Sequence, residues 1–324
     1  MNQSQTGAMA GFEPEFRDLE DYIRVITHRI WEQRRIDDIR RYYSDPCVVE
    51  TPASVTTRLE EVIAGTRATL AQFPDRRLLA EDIIASGDAT GGFLSSHRII
   101  SPMTHLGPGD FGDPTGRRIH VRTIADCVCK DNRITHEWLV RDQAAIAQHI
   151  GIASRDLAQA WLDLRGGWTK PAAPPPPAYY RSYVSSDPQG QGYAQSIESF
   201  SALKGAAADI YDEAVHHIGP RACTRFGREE VGEFWRQLFA ALSVRSFEVE
   251  HLAWQRNDGR ADRVALRWRA QTLHAGDGLF GHASGKPVEV MGINHAEFRR
   301  GMVLREWVLV DEVALWMQIL APQS

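Results

Sequence analysis

Two glutamates, Glu137 and Glu306, each stand directly before a tryptophan, Trp138 and Trp307, in an apolar run. Neighbours on a strand point to opposite faces, so one member of each pair must face an interior. A carboxylate held there by polar partners in apolar surroundings has its charged form disfavoured, which suits it to acid/base work near neutrality. The other reading is a solvent-facing Glu beside a core Trp, because Glu is seldom fully buried unless paired. His105 and His274 precede Gly107-x-Gly109 and Gly276-x-Gly278, where an imidazole either serves chemistry or locks the turn by hydrogen bonding. Arg98 and Arg267 suit a substrate clamp or a structural ion pair. Asp142 and Asp311 stand where a helix N-cap is expected, before Gln143–Ile150 and Glu312–Leu320.

The members of every pair are 169 residues apart. At that one offset, without gaps, 12 of the 46 positions from His97 to Asp142 are identical, including Phe111-Gly112 with Phe280-Gly281 and Val121 with Val290. Upstream it pairs Tyr42 with Tyr211, Glu60-Glu61-Val62 with Glu229-Glu230-Val231, Arg67 with Arg236 and Glu81 with Glu250. A period this long means a duplicated domain rather than a solenoid unit. The copies diverge at Asn294-His295, where the first has Ala125-Asp126.

The elements that must position these residues follow one order in both copies. Leu19, Tyr22, Ile23, Ile26, Ile30 and Trp31 form a stripe at helical spacing within 16–41, and 58–73 reads as a second helix. Period two then takes over, with Ile119, Val121, Thr123, Ala125 and Cys127 on one face and His120, Arg122, Ile124 and Asp126 on the other. Val288, Val290 and Gly292 repeat the pattern, and Lys130-Asp131-Asn132 and Arg299-Arg300-Gly301 read as turns between antiparallel strands. Helices followed by a strand meander describe an α+β fold. Between the copies, an amphipathic stretch from Ser154 to Arg165 runs into Gly166-Gly167, Pro171 and four consecutive prolines from Pro174, a stiff linker. The expected organisation is domain 1 at 12–151, helix and linker at 152–192, and domain 2 at 193–321.

His105-x-Gly107, Pro114-Thr115-Gly116-Arg117, Asp131-Asn132-Arg133-Ile134, Glu137-Trp138 and Asp142, in that order, resemble the SnoaL-like polyketide cyclase branch of the NTF2-like superfamily. The second copy resembles it through His274-x-Gly276, Ser284-Gly285-Lys286-Pro287-Val288, Gly292-Ile293-Asn294-His295, Glu306-Trp307 and Asp311. The resemblance implies two cystatin-like cones of curved antiparallel sheet, each closed by helices, with an apolar pocket at the wide end. It also implies sheet-to-sheet pairing of the two domains as an intrachain pseudo-dimer, with further homo-oligomerisation left open. It implies cofactor-free aldol-type ring closure on a small molecule, with one Asp beside the final-strand Trp as acid and base. That position is Glu137 or Glu306 here, one methylene longer, which keeps proton transfer and leaves cyclase, isomerase and lyase-like outcomes open.

Within that frame the second copy is the expected working pocket: Glu306 with His274 and Asn294, walled by Trp307 and Trp316, with Arg267 and Asp311 beside it. Glu137 and His105, with Trp138, Arg98 and Asp142, are the counterpart in the first. Strand parity puts Asp126 and His295 on the face opposite Val121 and Val290, towards the partner domain. A ligand-binding or assembly module without turnover is the alternative. A limonene-type epoxide hydrolase is disfavoured, because it needs Arg-x-Asp and the residues two after Arg98 and Arg267 are Ile100 and Arg269.

Composition bounds the partners. Of 324 residues, 43% are hydrophobic and 24% charged, the balance of a globular chain; 37 Lys and Arg against 42 Asp and Glu leave a net charge of −5 with no basic run. Neither nucleic acid nor a membrane surface is an expected partner. Cys47, Cys127, Cys129 and Cys223 form no C-x-x-C pair, and neither Asp-His-His nor H-E-x-x-H occurs, so no metal is expected. Met1 to Gly11 has neither a basic nor an apolar leader segment, so the cytoplasm is the expected location.

Overall fold

The computed structural model describes residues 9–180, 183–257 and 259–322; the leader reading at the start of the chain therefore falls mostly on residues 1–8, outside the described residues. In the first copy, α1 (Leu19–Thr27), α2 (Ile39–Tyr42) and α3 (Leu59–Gln72) intersperse with β1 (Tyr43–Thr51) and β2 (Ser54–Thr56), and β3 (Leu79–Asp88), β4 (Gly92–Thr104), β5 (Arg118–Lys130) and β6 (Arg133–Arg141) follow. After α4 (Gln143–Ile150) and α5 (Ser154–Arg165), the second copy runs α6 (Pro188–Ser201), β7 (Tyr211–Ile218), β8 (Thr224–Phe226), α7 (Gly227–Ala241), β9 (Leu242–Gln255), β10 (Asp262–His274), β11 (Pro287–Arg299), β12 (Met302–Val310) and α8 (Glu312–Leu320).

Each copy forms one six-stranded sheet in the same order, β2-β1-β6-β5-β4-β3 and β8-β7-β12-β11-β10-β9. The sheets are mixed rather than purely antiparallel, because β1 runs parallel to β6 and β7 parallel to β12. Those two pairings also correct the repeat by one residue. Tyr43 stands opposite Ile134 as Tyr211 stands opposite Val303, so the structural counterpart of Tyr211 is Tyr43, not Tyr42. The two hairpin turns carry positive φ at Asp131 and Asn132, and at Arg300 and Gly301, the backbone a two-residue hairpin demands.

The single helix expected over 16–41 is broken. Asp18 caps α1 by accepting from the Asp21 N–H, the ladder loosens into a π segment at His28–Glu32, and Arg34 turns the chain with φ 60°. The stripe still buries Tyr22, Ile23, Ile26 and Ile30, since apolar spacing survives a kink that hydrogen bonding does not. Gly107 and Gly276 are needed for close approach: a Cβ on either would stand 2.0 Å from a carbonyl oxygen at the end of α3 or α7, that of Ala71 or Ala240.

By contacts the chain divides into two compact units, one ending at Leu139 and taking in Lys170–Ser182, the other comprising Val140–Thr169 and everything from Tyr183. In the second unit α5 buries Leu157, Trp161 and Leu162 and packs along α8. Asp126 and His295 are buried on the sheet face opposite the one that carries Ala125 and Cys127, or Val290 and Ala296, into the core. No described helix is long and apolar enough to cross a membrane.

Candidate functional site

On β12, Val308 and Val310 belong to the buried core of the second copy, and Glu306 shares their face. Its carboxylate is fully buried and collects hydroxyls from remote segments: Tyr193 of α6 donates to Oε1 at 2.5 Å, and Tyr211 of β7 stands 3.0 and 2.9 Å from the two oxygens. The donors are themselves held. The Trp235 indole N–H donates to the Tyr211 hydroxyl at 2.9 Å, the Asn294 amide to Tyr193 at 3.0 Å, and the Trp268 indole N–H to Asn294 at 3.1 Å. His217 Nε2 faces Oε2 at 3.7 Å, and neither of its ring nitrogens has a hydrogen-bond partner among the described residues. Burial pushes the Glu306 carboxyl up to about 7, against the pull of the two tyrosine hydroxyls, while burial takes His217 down to about 3.

Around this network the cone is filled with rings. Phe200, Trp235 and Phe239 stack nearly parallel at 5.9 and 5.8 Å, and Phe247 lies on Trp268 at 5.2 Å. Gly292 makes room for that last indole, since a Cβ there would fall 2.2 Å from the ring.

The first copy keeps the carboxylate and loses the filling. Glu137 faces the cone on β6, 7% exposed, and accepts from the Tyr43 hydroxyl at 3.3 Å. The counterparts of Asn294, Trp268, Trp235 and Phe234 are Ala125, Ile99, Thr66 and Gly65, and register puts Val49 where β7 has His217. On α7, Val231, Phe234, Trp235 and Leu238 are all buried; on α3 the same positions are Val62, Gly65, Thr66 and Thr69, and none is buried. Thr66 and Thr69 bond back to their own helix, to the carbonyls of Val62 and Gly65, instead of reaching into the sheet.

The other expected site residues are placed apart from the carboxylates. Because Glu306 faces inward, Trp307 points away from the cone, and Trp138 likewise stacks on His136 at 4.0 Å; neither walls a pocket, by strand parity. His105 and His274 bond Thr115 and Ser284 through Nδ1 at 3.3 and 3.0 Å and hold the glycine turns. His274 lies ten residues along β10 from Val264, whose β11 partner Ala296 also faces Glu306, so it is not a neighbour of that carboxylate. Arg98 and Arg267 lie on the outer sheet face in ion pairs with Glu81 and Glu250 at 3.2 and 3.0 Å. Each glutamate also takes a second arginine, Arg122 from β5 or Arg269 from β10, so the same pair is built from different strands. Asp142 and Asp311 are N-caps, accepting from Ala145 and from Val313 and Ala314; Asp142 also accepts from the N–H groups of Arg221 and Ala222. Trp316 packs edge-on against Phe280 under Arg155. Only Asn294 joins Glu306 from the expected set. Tyr193, Tyr211, Trp235, Trp268 and His217 escaped sequence reasoning; comparing the copies position by position along 231–238 and 264–270 was the signal that could have found the tryptophans. Among the described residues no group of three or more His, Cys, Asp or Glu could hold a metal ion.

These features define a duplicated α+β cone fold carrying one inward carboxylate on the last strand of each cone. The SnoaL-like polyketide cyclase profile matches residues 23–150 and 199–319, and the chain belongs to that family. Among solved structures it is similar to IdmH from Streptomyces antibioticus, assigned as a polyketide cyclase, at 20% identity and TM-score 0.36 over 41% of this chain and 98% of that one. AclR from Streptomyces galilaeus, assigned as a hydroxylase, is 19% identical with TM-score 0.35 over 41% and 98%. A protein from Jannaschia sp. CCS1, assigned as a SnoaL-like polyketide cyclase, is 18% identical with TM-score 0.35 over 43% and 99%. No curated protein matches the sequence.

Proposed function

We propose that the chain is an acid/base catalyst of the cyclase or isomerase type on a small, largely apolar carbonyl compound, and that Glu137 in the first cone is the working carboxylate. This reverses the expectation from sequence, which favoured Glu306. The observation that carries it is the helix over each cone: α7 presses Phe234, Trp235 and Leu238 into the core, whereas Gly65, Thr66 and Thr69 of α3 supply no ring and none of them is buried. A base needs an approach for the carbon it deprotonates as well as a suitable pKa. Glu306 is fully enclosed by its tyrosines and the aromatic stack, while Glu137 keeps a tyrosine hydroxyl and some exposure.

In the proposed step, the Glu137 carboxylate removes a proton from carbon next to the substrate carbonyl, and Tyr43 holds the carboxyl in place. The proton returns either to another carbon, giving an isomer, or, where the substrate carries a second carbonyl group, to the alkoxide left when the enolate carbon adds to that carbonyl carbon and its C=O π bond breaks. The test is deuterium incorporation into 2-tetralone in D₂O, followed by NMR. The wild type should accelerate exchange, Glu137→Gln should lose roughly 10²- to 10⁴-fold, and Glu306→Gln should retain most of it. The opposite pattern would return the reaction to the second cone, and binding of 2-tetralone without exchange in the wild type would leave a ligand-binding module.

A further inference from the structure

The first cone contains polar atoms that its own fold leaves unsatisfied. His97 Nε2, Ser101 Oγ and Thr123 Oγ1 have no hydrogen-bond partner among the described residues, and the three residues are at most 3% exposed, so bulk solvent does not reach them. Leaving such a group unpaired costs about 1–3 kcal/mol. The three share one face. β4 and β5 pair without a register shift, placing His97 opposite Ala125, Ile99 opposite Thr123 and Ser101 opposite Val121. That is the face of Ala125 and Cys127, which lie in the core of the cone.

The fold does not require these side chains. Their counterparts in the second copy are Leu266, Ala270 and Gly292, none of which carries a polar side chain, and there the same surface is covered by the Trp268 indole. Three polar residues therefore stand together in the copy that lacks the covering rings, and no described residue satisfies the three atoms. The strip carries no charge: burial takes the His97 imidazole down to about 3, so it is neutral at ordinary pH. Thr123 lies between His97 and Ser101 on the adjacent strand, and diagonal cross-strand neighbours of this kind are about 7–8 Å apart.

Resting on the assignment of the first cone as the working one, we propose that His97, Ser101 and Thr123 determine specificity by hydrogen bonding neutral hydroxyl or carbonyl groups spaced across an otherwise apolar ligand. A ligand with a charged edge would meet no counter-charge on the strip, and a bare hydrocarbon would leave the three groups unpaired. The strip thus selects for oxygen substituents well apart on the ligand's edge.

Isothermal calorimetry with two probes that undergo no proton exchange at carbon next to a carbonyl tests this apart from turnover. Naphthalene-2,7-diol carries neutral hydroxyls on its two rings, and naphthalene carries none. The wild-type chain should bind the diol roughly tenfold more tightly. The near-isosteric Thr123→Val, and Ser101→Ala, should each reduce that preference roughly three- to tenfold, with naphthalene affinity unchanged. Thr123→Val should also raise the melting temperature of the ligand-free protein, because it removes an unpaired buried hydroxyl. Equal affinities for the two probes, binding of neither, or variants that weaken both probes alike would overturn the proposal. The preference measured in Glu137→Gln separates the two readings: if it persists while that variant keeps full 2-tetralone exchange, the catalytic assignment fails and the strip stands.

Discussion

The two cones start from the same last-strand carboxylate and spend it differently. In the second, Phe234, Trp235 and Phe239 of α7 and Trp268 of β10 fill the cone, and Glu306 anchors a chain of hydrogen bonds from Trp268 through Asn294 and Tyr193, and from Trp235 through Tyr211. In the first, Gly65, Thr66 and Ile99 stand in place of Phe234, Trp235 and Trp268, and Ala125 in place of Asn294. A buried ionisable residue is thus poor evidence for catalysis on its own. The more completely its partners are satisfied and enclosed, the more it behaves as a fold determinant. Duplication permits the split, because one copy can be packed with rings while the other keeps the carboxylate without them.

The largest expected effect comes from moving the rings. Trp235→Ala should cost about 3–5 kcal/mol in urea denaturation, since it opens a large void in a closed core and removes the indole N–H that the Tyr211 hydroxyl accepts. The reciprocal Thr66→Trp should cost under about 1 kcal/mol and abolish 2-tetralone exchange by refilling the first cone. A severe loss of stability in Thr66→Trp would mean that the volume under α3 is already occupied, and the contrast between the cones would collapse.

Next in size is the pH dependence of the second cone. The Glu306 carboxyl is raised to about 7 in the folded chain from 4.5, so the folded state holds a proton that the unfolded state releases. Its contribution to stability is therefore complete below about pH 4.5 and is lost as pH rises through 7, an effect of about 3 kcal/mol. Asp311 and Glu312, also raised to about 7 by burial, act in the same direction, so the readout is the difference between wild type and Glu306→Gln. The variant should be the more stable at pH 8, and the gain should vanish near pH 5. A difference independent of pH would show that Glu306 does not titrate in this range.

The smallest effect separates the tyrosines. Tyr211→Phe leaves both Glu306 and the Trp235 indole short of a partner and should cost about 1–3 kcal/mol; Tyr43→Phe removes one long hydrogen bond and should cost under about 1 kcal/mol. Equal losses in denaturation midpoints would mean that the two carboxylates are held alike.

Much of the architecture was legible in order along the chain. Patterning placed α3, β5 and β11, the Asp caps placed α4 and α8, and the repeat exposed the duplication. β1 and β7 were missed because β1 carries Asp45-Pro46 and β7 shows no clean alternation, and their parallel pairing rests on partners far away in sequence. The gapless repeat misaligned Tyr42 with Tyr211 because the connection from β7 to β8 is one residue longer than that from β1 to β2, a shift that only pairing to β6 and β12 reveals.

What the sequence by itself determined was the carboxylates and the faces available to them: period-two patterning allows Glu306 or Trp307 inside, but not both. It also determined the N-caps, since an Asp before an apolar helix satisfies N–H groups two or three residues on. What only the tertiary structure decided was the company each carboxylate keeps. Tyr193 and Tyr211 reach Glu306 across 113 and 95 residues of chain, and no local pattern encodes that meeting. Which cone is sealed depends on side-chain volumes from a helix and a sheet summed in one space, and volume, unlike periodicity, becomes visible only when the elements are brought together.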